Sequence, residues 1–541
     1  MLSLHLQAGD AGLDWNRTTT GIARGSSRVD PYRHGALEEV IAVSGARLLV
    51  CVRERCAGLT GPGVGILAGR TPPAIDAERF DRLAESLRTW PLQWHLLIVD
   101  GDAARLEAGH WGTAPVYLVA GADGRLRGDW DADRLLPGLK RTSLDPARAA
   151  RWIAEYDAPY ARRSLFGDLM LLTERAVATW RQAPDGDHRL DIAYPAPWPW
   201  PVAGTLREGA DPLDALDRIL SASMRRWTGI AGETLGAELS GGLDSSLVAA
   251  IASRESGRPL PSYGLAIAGT AEAVADQRAR RDDLITTLGL RDTEIPMESF
   301  LPLAPGSCRL DGGAPVLPWE EGYYEAMDRL LEQAHSAGTR VMLTGFGGDE
   351  LCGLLPAERR ALGREPEPAW SLSPPEGPAF LTPAASAALA TPRDLPPRAA
   401  CSDSSIEVAG LSAARYLRRG IWPVHPLCTP QLVRFCARLP AAWRADRSIQ
   451  RALLARLGIT RRVTHPAYLD DLSPALVHGM RSSARPLLDR LFAQPVLAAQ
   501  GIVDGARLRR DYAEWCGRVD TGGAEAFYAV AILELCLARM R

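Results

Sequence analysis

Residues Ala237–Ala250 read AELSGGLDSSLVAA, a stretch that leaves few folds open. Apolar residues lie on both sides, so both flanks are buried. The centre holds two adjacent glycines, three serines and an aspartate. A strand that ends in a turn and opens a helix satisfies both demands, because the first N–H groups of the helix stay unpaired and point back over the turn. The strand is LGAEL (235–239) and the helix is expected near 245–254. The alternation continues downstream. SYGLAIA (262–268) reads as a strand followed by a helix near 275–288, and a helix near 320–336 precedes the strand RVMLT (340–344). This βαβα series implies a mostly parallel sheet covered on both faces.

The turn itself is suited to an anion. Gly241 and Gly242 can take conformations closed to other residues and let a ligand approach the backbone. The helix start supplies N–H groups and a positive dipole end, and Ser240, Ser245 and Ser246 add hydroxyl donors. Asp244 would repel phosphate directly, so its presence points to Mg²⁺, which prefers one or two carboxylates together with phosphate oxygens. A second glycine loop, LTGFGGDELCG (343–353), follows another buried strand. There Gly345 helps form the loop, Asp349 is the second candidate metal ligand and Glu350 is its neighbour. Ligands of open parallel sheets bind beyond the carboxyl ends of the strands, and both loops occupy that edge. Leu265, in the second strand, is added to the nucleotide-binding set. The plainer alternatives are a serine-capped turn and an ordinary acidic glycine loop.

The first 200 residues differ. ARLLVCV (46–52), HLLIVDG (95–101) and APVYLVAG (114–121) are short strand-like runs bounded by turn residues, implying an α+β or layered β domain. YPAPWPWPVAG (194–204) has four prolines and reads as a linker. Asp211 and Pro212 open a helix with Leu213, Leu216, Leu220, Met224 and Trp227 on one face. Residues 355–400 carry ten prolines, which suits a lid or a solvated linker. Residues 405–541 read as helical, including a helix capped by Thr429 and Pro430 that turns Leu432, Val433, Phe435, Cys436 and Leu439 inward. The net charge of −3 leaves no overall footprint for nucleic acid or an anionic membrane. The nine cysteines form no CxxC pair, and no apolar run reaches membrane-spanning length. A cytoplasmic location is expected. Lys140 is the only lysine among 62 basic residues, so a catalytic lysine would have one candidate, far from the loops in sequence.

S-G-G-x-D-S at 240–245, followed by T-G-x-G-x-D-E-L at 344–351, resembles the asparagine synthetase B superfamily. The resemblance implies a PP-loop that binds ATP and a carboxylate that is adenylated and then attacked by an amine. ADQRARRDDLITTLGL (275–290) and HPLCTPQLVRFCARLP (425–440) resemble further family segments, the latter with Thr429 where aspartate is usual. GTAPVYLVAGADGRLRGDWDADRLL (112–136) resembles the end of the family's glutaminase-like domain. The implied organisation is a degenerate glutaminase-like (Ntn-type) layered domain at 1–200 and an ATP pyrophosphatase α/β domain with a helical tail at 201–541.

The departures carry the functional reading. Glutamine-using members need a cysteine after the initiator methionine; here Leu2 stands there, so no glutaminase activity is expected. Phe346 stands where asparagine synthetases carry glutamate and β-lactam synthetases tyrosine. The family's lysine after the 449–456 helix is replaced by His465 or Ala467, with Arg461 and Arg462 as nearby cations. The stretch RPLLDRLFAQPVLAAQGIVDGARLRR (485–510) resembles the tail of lasso peptide cyclases, which close an Asp or Glu side chain onto a peptide's own terminal amine. That amine has a pKa of about 7.7–8.0 and is partly neutral without a strong base. The expected enzyme is an ATP- and Mg²⁺-dependent macrolactam synthetase acting on a precursor peptide, with a leader-binding protein and a leader protease as partners. Glu350 and His465 are its candidate catalytic side chains. The alternatives are a β-lactam-synthetase-like cyclase and an inactive nucleotide-binding scaffold.

Overall fold

The computed structural model describes residues 1–56, 74–111, 114–156, 160–199, 204–364, 377–519 and 522–540. Its first half is built on alternation of apolar and polar residues. In the strand Leu2–Gln7, Leu2, Leu4 and Leu6 are buried while Ser3, His5 and Gln7 are not. This strand lies in a seven-stranded antiparallel sheet, paired with Arg125–Asp129 on one side and Ser27–Pro31 on the other. A six-stranded antiparallel sheet, including Leu37–Ser44, Arg47–Glu54 and Trp94–Asp100, faces it. Leu4 and Leu6 share a core with Ile41, Leu48, Val50 and Leu97. The outer face of the six-stranded sheet is covered by the helix Ala77–Arg88. Tyr117 and Val119, on the outer face of the seven-stranded sheet, pack with the helices Pro146–Glu155 and Ala524–Ala538. The result is a four-layered α+β unit.

The second half holds the parallel sheet, in the order Arg291–Pro296, Pro261–Ala266, Leu235–Glu238, Val341–Leu343, Trp422–Val424. Three of these strands are those read from the sequence. The edge strand Arg291–Pro296 escaped because its charged residues show no apolar alternation. Trp422–Val424 escaped because it is short and contains Pro423, tolerated at an edge. One face of the sheet carries the helices Pro212–Ala231 and Leu243–Ser256, with Leu216, Leu220, Met224 and Trp227 packed among Ala237, Leu239 and Leu247. Asp211 caps the first of these helices by accepting from the N–H of Leu213 at 2.8 Å, worth about 1 kcal/mol. The other face carries Tyr324–Ser336 and Asp403–Arg418, where Leu330, Leu331 and Tyr416 meet Tyr263 and Met342.

The halves are joined by specific polar contacts. Trp422 Nε1 donates to Glu54 Oε1 at 2.8 Å, and Arg418 binds both oxygens of Asp131 at 2.7 and 2.6 Å. Tyr117 stacks on Trp319. In the described portion of the proline-rich segment from 377, Phe380, Leu381, Ala385 and Leu389 are buried, and Phe380 stacks on Phe527 of the tail. Apolar residues between the prolines supply this docking. Residues 365–376 of that segment and 200–203 of the expected linker lie outside the described residues. All nine cysteines are free. Among the described residues no helix is long and apolar enough to cross a membrane.

Candidate active site

The glycine turn leaves the central strand Leu235–Glu238 and enters the helix Leu243–Ser256. Gly241 has φ +85°, a conformation that strains any residue with a Cβ. Gly242 is the N-cap and offers no side chain to the first turn of the helix. The end is therefore uncapped, with N–H groups available to an anion. The three serines divide. Ser240 Oγ lies 3.0 Å from Ser245 Oγ and accepts from the N–H of Gly242, so these two hydroxyls form the rim. Ser246 is fully buried and donates to the Gly242 carbonyl at 2.6 Å. It braces the turn instead of facing a ligand, which corrects its assignment as a phosphate donor.

The helix Ala271–Leu288 holds the turn from behind through buried polar groups. Arg280 donates to the Gly241 carbonyl at 2.7 Å, Arg281 to the Leu239 carbonyl at 2.6 Å, and Gln277 to the carbonyls of Ser240 and Leu265, both at 3.2 Å. Leu265 is half-buried at the end of its strand and shares Gln277 with the turn. Arg280 also binds Asp470, which brings the segment after His465 against the cradle.

The second loop meets the first at backbone distance. A Cβ on Gly345 would sit 2.8 Å from the Ser245 nitrogen, and one on Gly348 would sit 2.1 Å from the Asp244 carboxyl. Asp244 and Asp349 thus converge, and Arg447 joins them: its Nη1 is 2.9 Å from Asp244 Oδ2 and 2.5 Å from Asp349 Oδ1. Gln450 Nε2 lies 3.2 Å from Asp244 Oδ1. Burial pushes the Asp244 carboxyl up to about 7, opposed by Arg447 and reinforced by the charges of Asp349 and Glu350. Asp349 remains 73% exposed, and Glu350 accepts from Ser404 Oγ at 2.6 Å.

Sequence reasoning missed Arg447, Gln450 and Arg451. Asp446 and Arg447 both take left-handed conformations, with φ of 52° and 56°, without being glycine. Such backbone outliers cluster at functional sites. Arg451 has a buried Nη1 with no hydrogen-bond partner, and burial together with Arg447 disfavours its proton. Two guanidinium groups held side by side leave a positive lobe next to the carboxylates. The only sequence signal was a cluster of arginines in a chain where arginine is common. His465 lies beside this lobe but is exposed, with Nδ1 3.0 Å from Thr464 Oγ1. Desolvation, then Arg451 and Arg461, lower its pKa. It is a poor source of positive charge beside Arg451 and Arg461, whose own charges oppose its protonation. Phe346 stacks on His425, which burial pushes down to about 3 and whose Nδ1 is 2.7 Å from Thr344 Oγ1.

The donor set fits a triphosphate with a divalent cation. The uncapped helix and the orphaned Arg451 nitrogen suit phosphate oxygens, and the half-buried Asp244 beside Asp349 shares one arginine between two carboxylates. Among the described residues no group of three or more His, Cys, Asp or Glu side chains could hold a metal alone. A cation here would share its coordination with phosphate, as Mg²⁺ commonly does.

No curated protein matches the chain. Among solved structures it is similar to the U34-tRNA thiolase NcsA from Methanococcus maripaludis with its 4Fe-4S cluster, at 11% identity and a TM-score of 0.24, covering 57% of this chain and 81% of that one. Residues 215–418, which carry both glycine loops and four of the five parallel strands, match the asparagine synthase family model, so this stretch is similar to an asparagine synthase domain.

Proposed function

We propose that the protein is an ATP-dependent amide synthetase that adenylates a side-chain carboxylate of a precursor peptide and closes it onto the peptide's own terminal amine. The observation that carries this reading is the meeting of the two loops: an uncapped helix end, Asp244 and Asp349 on one arginine, and an unpaired guanidinium N–H beside them. The family match over 215–418 supports ATP as the co-substrate.

The residues divide the work as follows. Gly241, Gly242 and the rim hydroxyls of Ser240 and Ser245 would receive the β- and γ-phosphates, with Arg447 and Arg451 taking charge that develops on pyrophosphate. Asp244 and Asp349 would hold Mg²⁺, which neutralises phosphate charge when bound. Glu350, tied to Ser404, orients the second loop. The α-phosphorus is left open to a carboxylate, and the acyl-adenylate makes its carbonyl electrophilic. Holding the amine beside that carbonyl is worth up to roughly 7–11 kcal/mol.

The amine arrives with the substrate. The first half is read as a glutaminase-like domain that has lost its nucleophile. Its four layers support the likeness. Burial pushes the Cys51 thiol up to about 12 and raises that of Cys56, so neither is a ready nucleophile. The lasso cyclase reading rests on Leu2 and on the 485–510 tail, with a leader-binding protein and a leader protease as proposed partners.

The test is incubation with ATP, Mg²⁺ and leaderless synthetic peptides bearing a free amino terminus and one internal Asp or Glu at graded spacings. Formation of AMP and pyrophosphate with loss of one water, blocked by acetylating the amino terminus, is expected. Cyclisation that survives acetylation would exclude the terminal amine as nucleophile.

A further inference from the structure

Phe346 cannot accept a proton, and the carboxylates of the second loop are engaged, Asp349 by Arg447 and Glu350 by Ser404, but the other side of the sheet edge offers a further one. Glu238 is the last residue of the central strand, two residues before Ser240, or ~7 Å along the chain. Strand alternation turns Ala237 and Leu239 toward the helix Leu243–Ser256 and Glu238 toward Asp403–Arg418. The register Ala237↔Leu343 brings the next position, Glu238, beside Thr344 at the root of the second loop. Glu238 is therefore flanked by both ligand loops on the edge where ligands of parallel sheets bind.

Its surroundings are unusual for a strand residue. The Tyr416 hydroxyl donates to Oε1, while Oε2 has no hydrogen-bond partner among the described residues. Arg415 and Glu321 act on the carboxyl from the adjoining elements, and Tyr323 lies with them. Arg415 is 3% exposed. Its Nη2 is 3.0 Å from both Glu320 Oε2 and Glu321 Oε2, and its Nε is buried with no partner. The tail steadies this group, because Tyr528 Oη donates to the carbonyls of Glu320 and Glu321 at 2.9 Å. A half-buried carboxylate with an oxygen open to a ligand is a place for an ammonium group, while the orphaned Arg415 N–H beside it suits an acceptor on the same ligand, such as a peptide carbonyl.

We propose that Glu238 receives the attacking amine of the substrate and takes its proton. This rests on the amide-synthetase reading above. The ammonium gives one proton to Glu238 and the freed electron pair attacks the acyl-adenylate carbonyl. The C–N bond forms, the bond from that carbon to the AMP oxygen breaks with its electron pair leaving on AMP, and the nitrogen's second proton goes to water. Burial pushes the Glu238 carboxyl up to about 7, against the Tyr416 hydrogen bond and the Arg415 charge, which suits proton exchange near neutral pH.

The experiment compares two nucleophiles on the same adenylate. Wild type, Glu238→Gln and Glu238→Asp are incubated with ATP, Mg²⁺ and the graded peptides, with and without hydroxylamine, which is largely unprotonated at neutral pH. ATP–pyrophosphate exchange is followed in parallel. Glu238→Gln is expected to lower amide formation by roughly 10²–10⁴-fold relative to hydroxamate formation. Glu238→Asp is expected to recover part of the loss. Part of the rise of the wild-type amide rate as pH passes up through about 7, where Glu238 loses its proton, should be lost in Glu238→Gln, while the part that Asp244 contributes remains and is seen equally in hydroxamate formation. An unchanged amide-to-hydroxamate ratio with exchange intact would overturn the assignment of Glu238 alone. Wild-type protein that neither exchanges pyrophosphate nor forms amide with any peptide would overturn the synthetase reading and this assignment together.

Discussion

Asp244 and Glu238 stand on either side of one glycine turn, and burial pushes both carboxyls up to about 7. Their neighbourhoods differ. Asp244 has both oxygens engaged, by Arg447 and Gln450, with two further acids close by. Glu238 has one oxygen held by Tyr416 and the other free. The first is a site with too much negative charge, which a cation relieves. The second is a single acid free to gain and lose a proton. The helices they face match this division: Asp244 lies in the first turn of an uncapped helix suited to phosphate, whereas Glu238 faces a helix that presents a hydroxyl and a guanidinium.

The largest expected effect comes from removing the charge at Asp244. Asp244→Asn should lower AMP formation by roughly 10²–10³-fold in a folded protein. Asp349→Asn should cost less, because water can stand in for a ligand that is 73% exposed. Wild-type-like AMP release from purified Asp244→Asn, with an unchanged melting curve, would remove the metal assignment.

Arg451→Met tests the positive lobe. A charge-assisted hydrogen bond contributes about 1.5–3 kcal/mol, so the KM for ATP, or inhibition by added pyrophosphate, should shift by roughly 10–100-fold. No shift in either would return the role to another cation.

Gly348→Ala tests whether the loops must touch. The added Cβ would stand 2.1 Å from the Asp244 carboxyl. Overpacking of this kind costs about 1–3 kcal/mol, seen as a melting temperature lower by several degrees together with lost AMP formation. A variant of normal stability and activity would mean that the loops part in solution.

The smallest effect is a null one. Glutamine should not serve as an amine source through Cys51 or Cys56, since burial raises both thiols. Glutamate release above that of heat-inactivated protein would contradict this.

The division between legible and hidden features follows the range of the interactions. The turn at 240–246 and its strand and helix were legible because apolar periodicity and glycine pairs are local signals, and Asp244 and Asp349 could be paired because both loops end parallel strands. Ser246 misled, since a hydroxyl in sequence carries no direction and the helix turns this one inward. Arg447 and Gln450 reach Asp244 from about 200 residues away, a contact that no local pattern encodes. His465 failed as a cation because its neighbours, Arg451 and Arg461, are set by the fold. The strand Trp422–Val424 is held by its parallel partner and by Glu54 of the first half, and Pro423 hides it from any propensity reading.

The central claim is that this chain activates a peptide carboxylate by joining it to AMP. The direct measurement uses a peptide whose side-chain carboxylate is labelled with heavy-isotope oxygen, incubated with the protein, ATP and Mg²⁺. The account expects one labelled oxygen in the phosphate of AMP, none in pyrophosphate, and a cyclic peptide lighter by one water. Label recovered in inorganic phosphate with formation of ADP, or cyclisation with no label in any nucleotide, would contradict it.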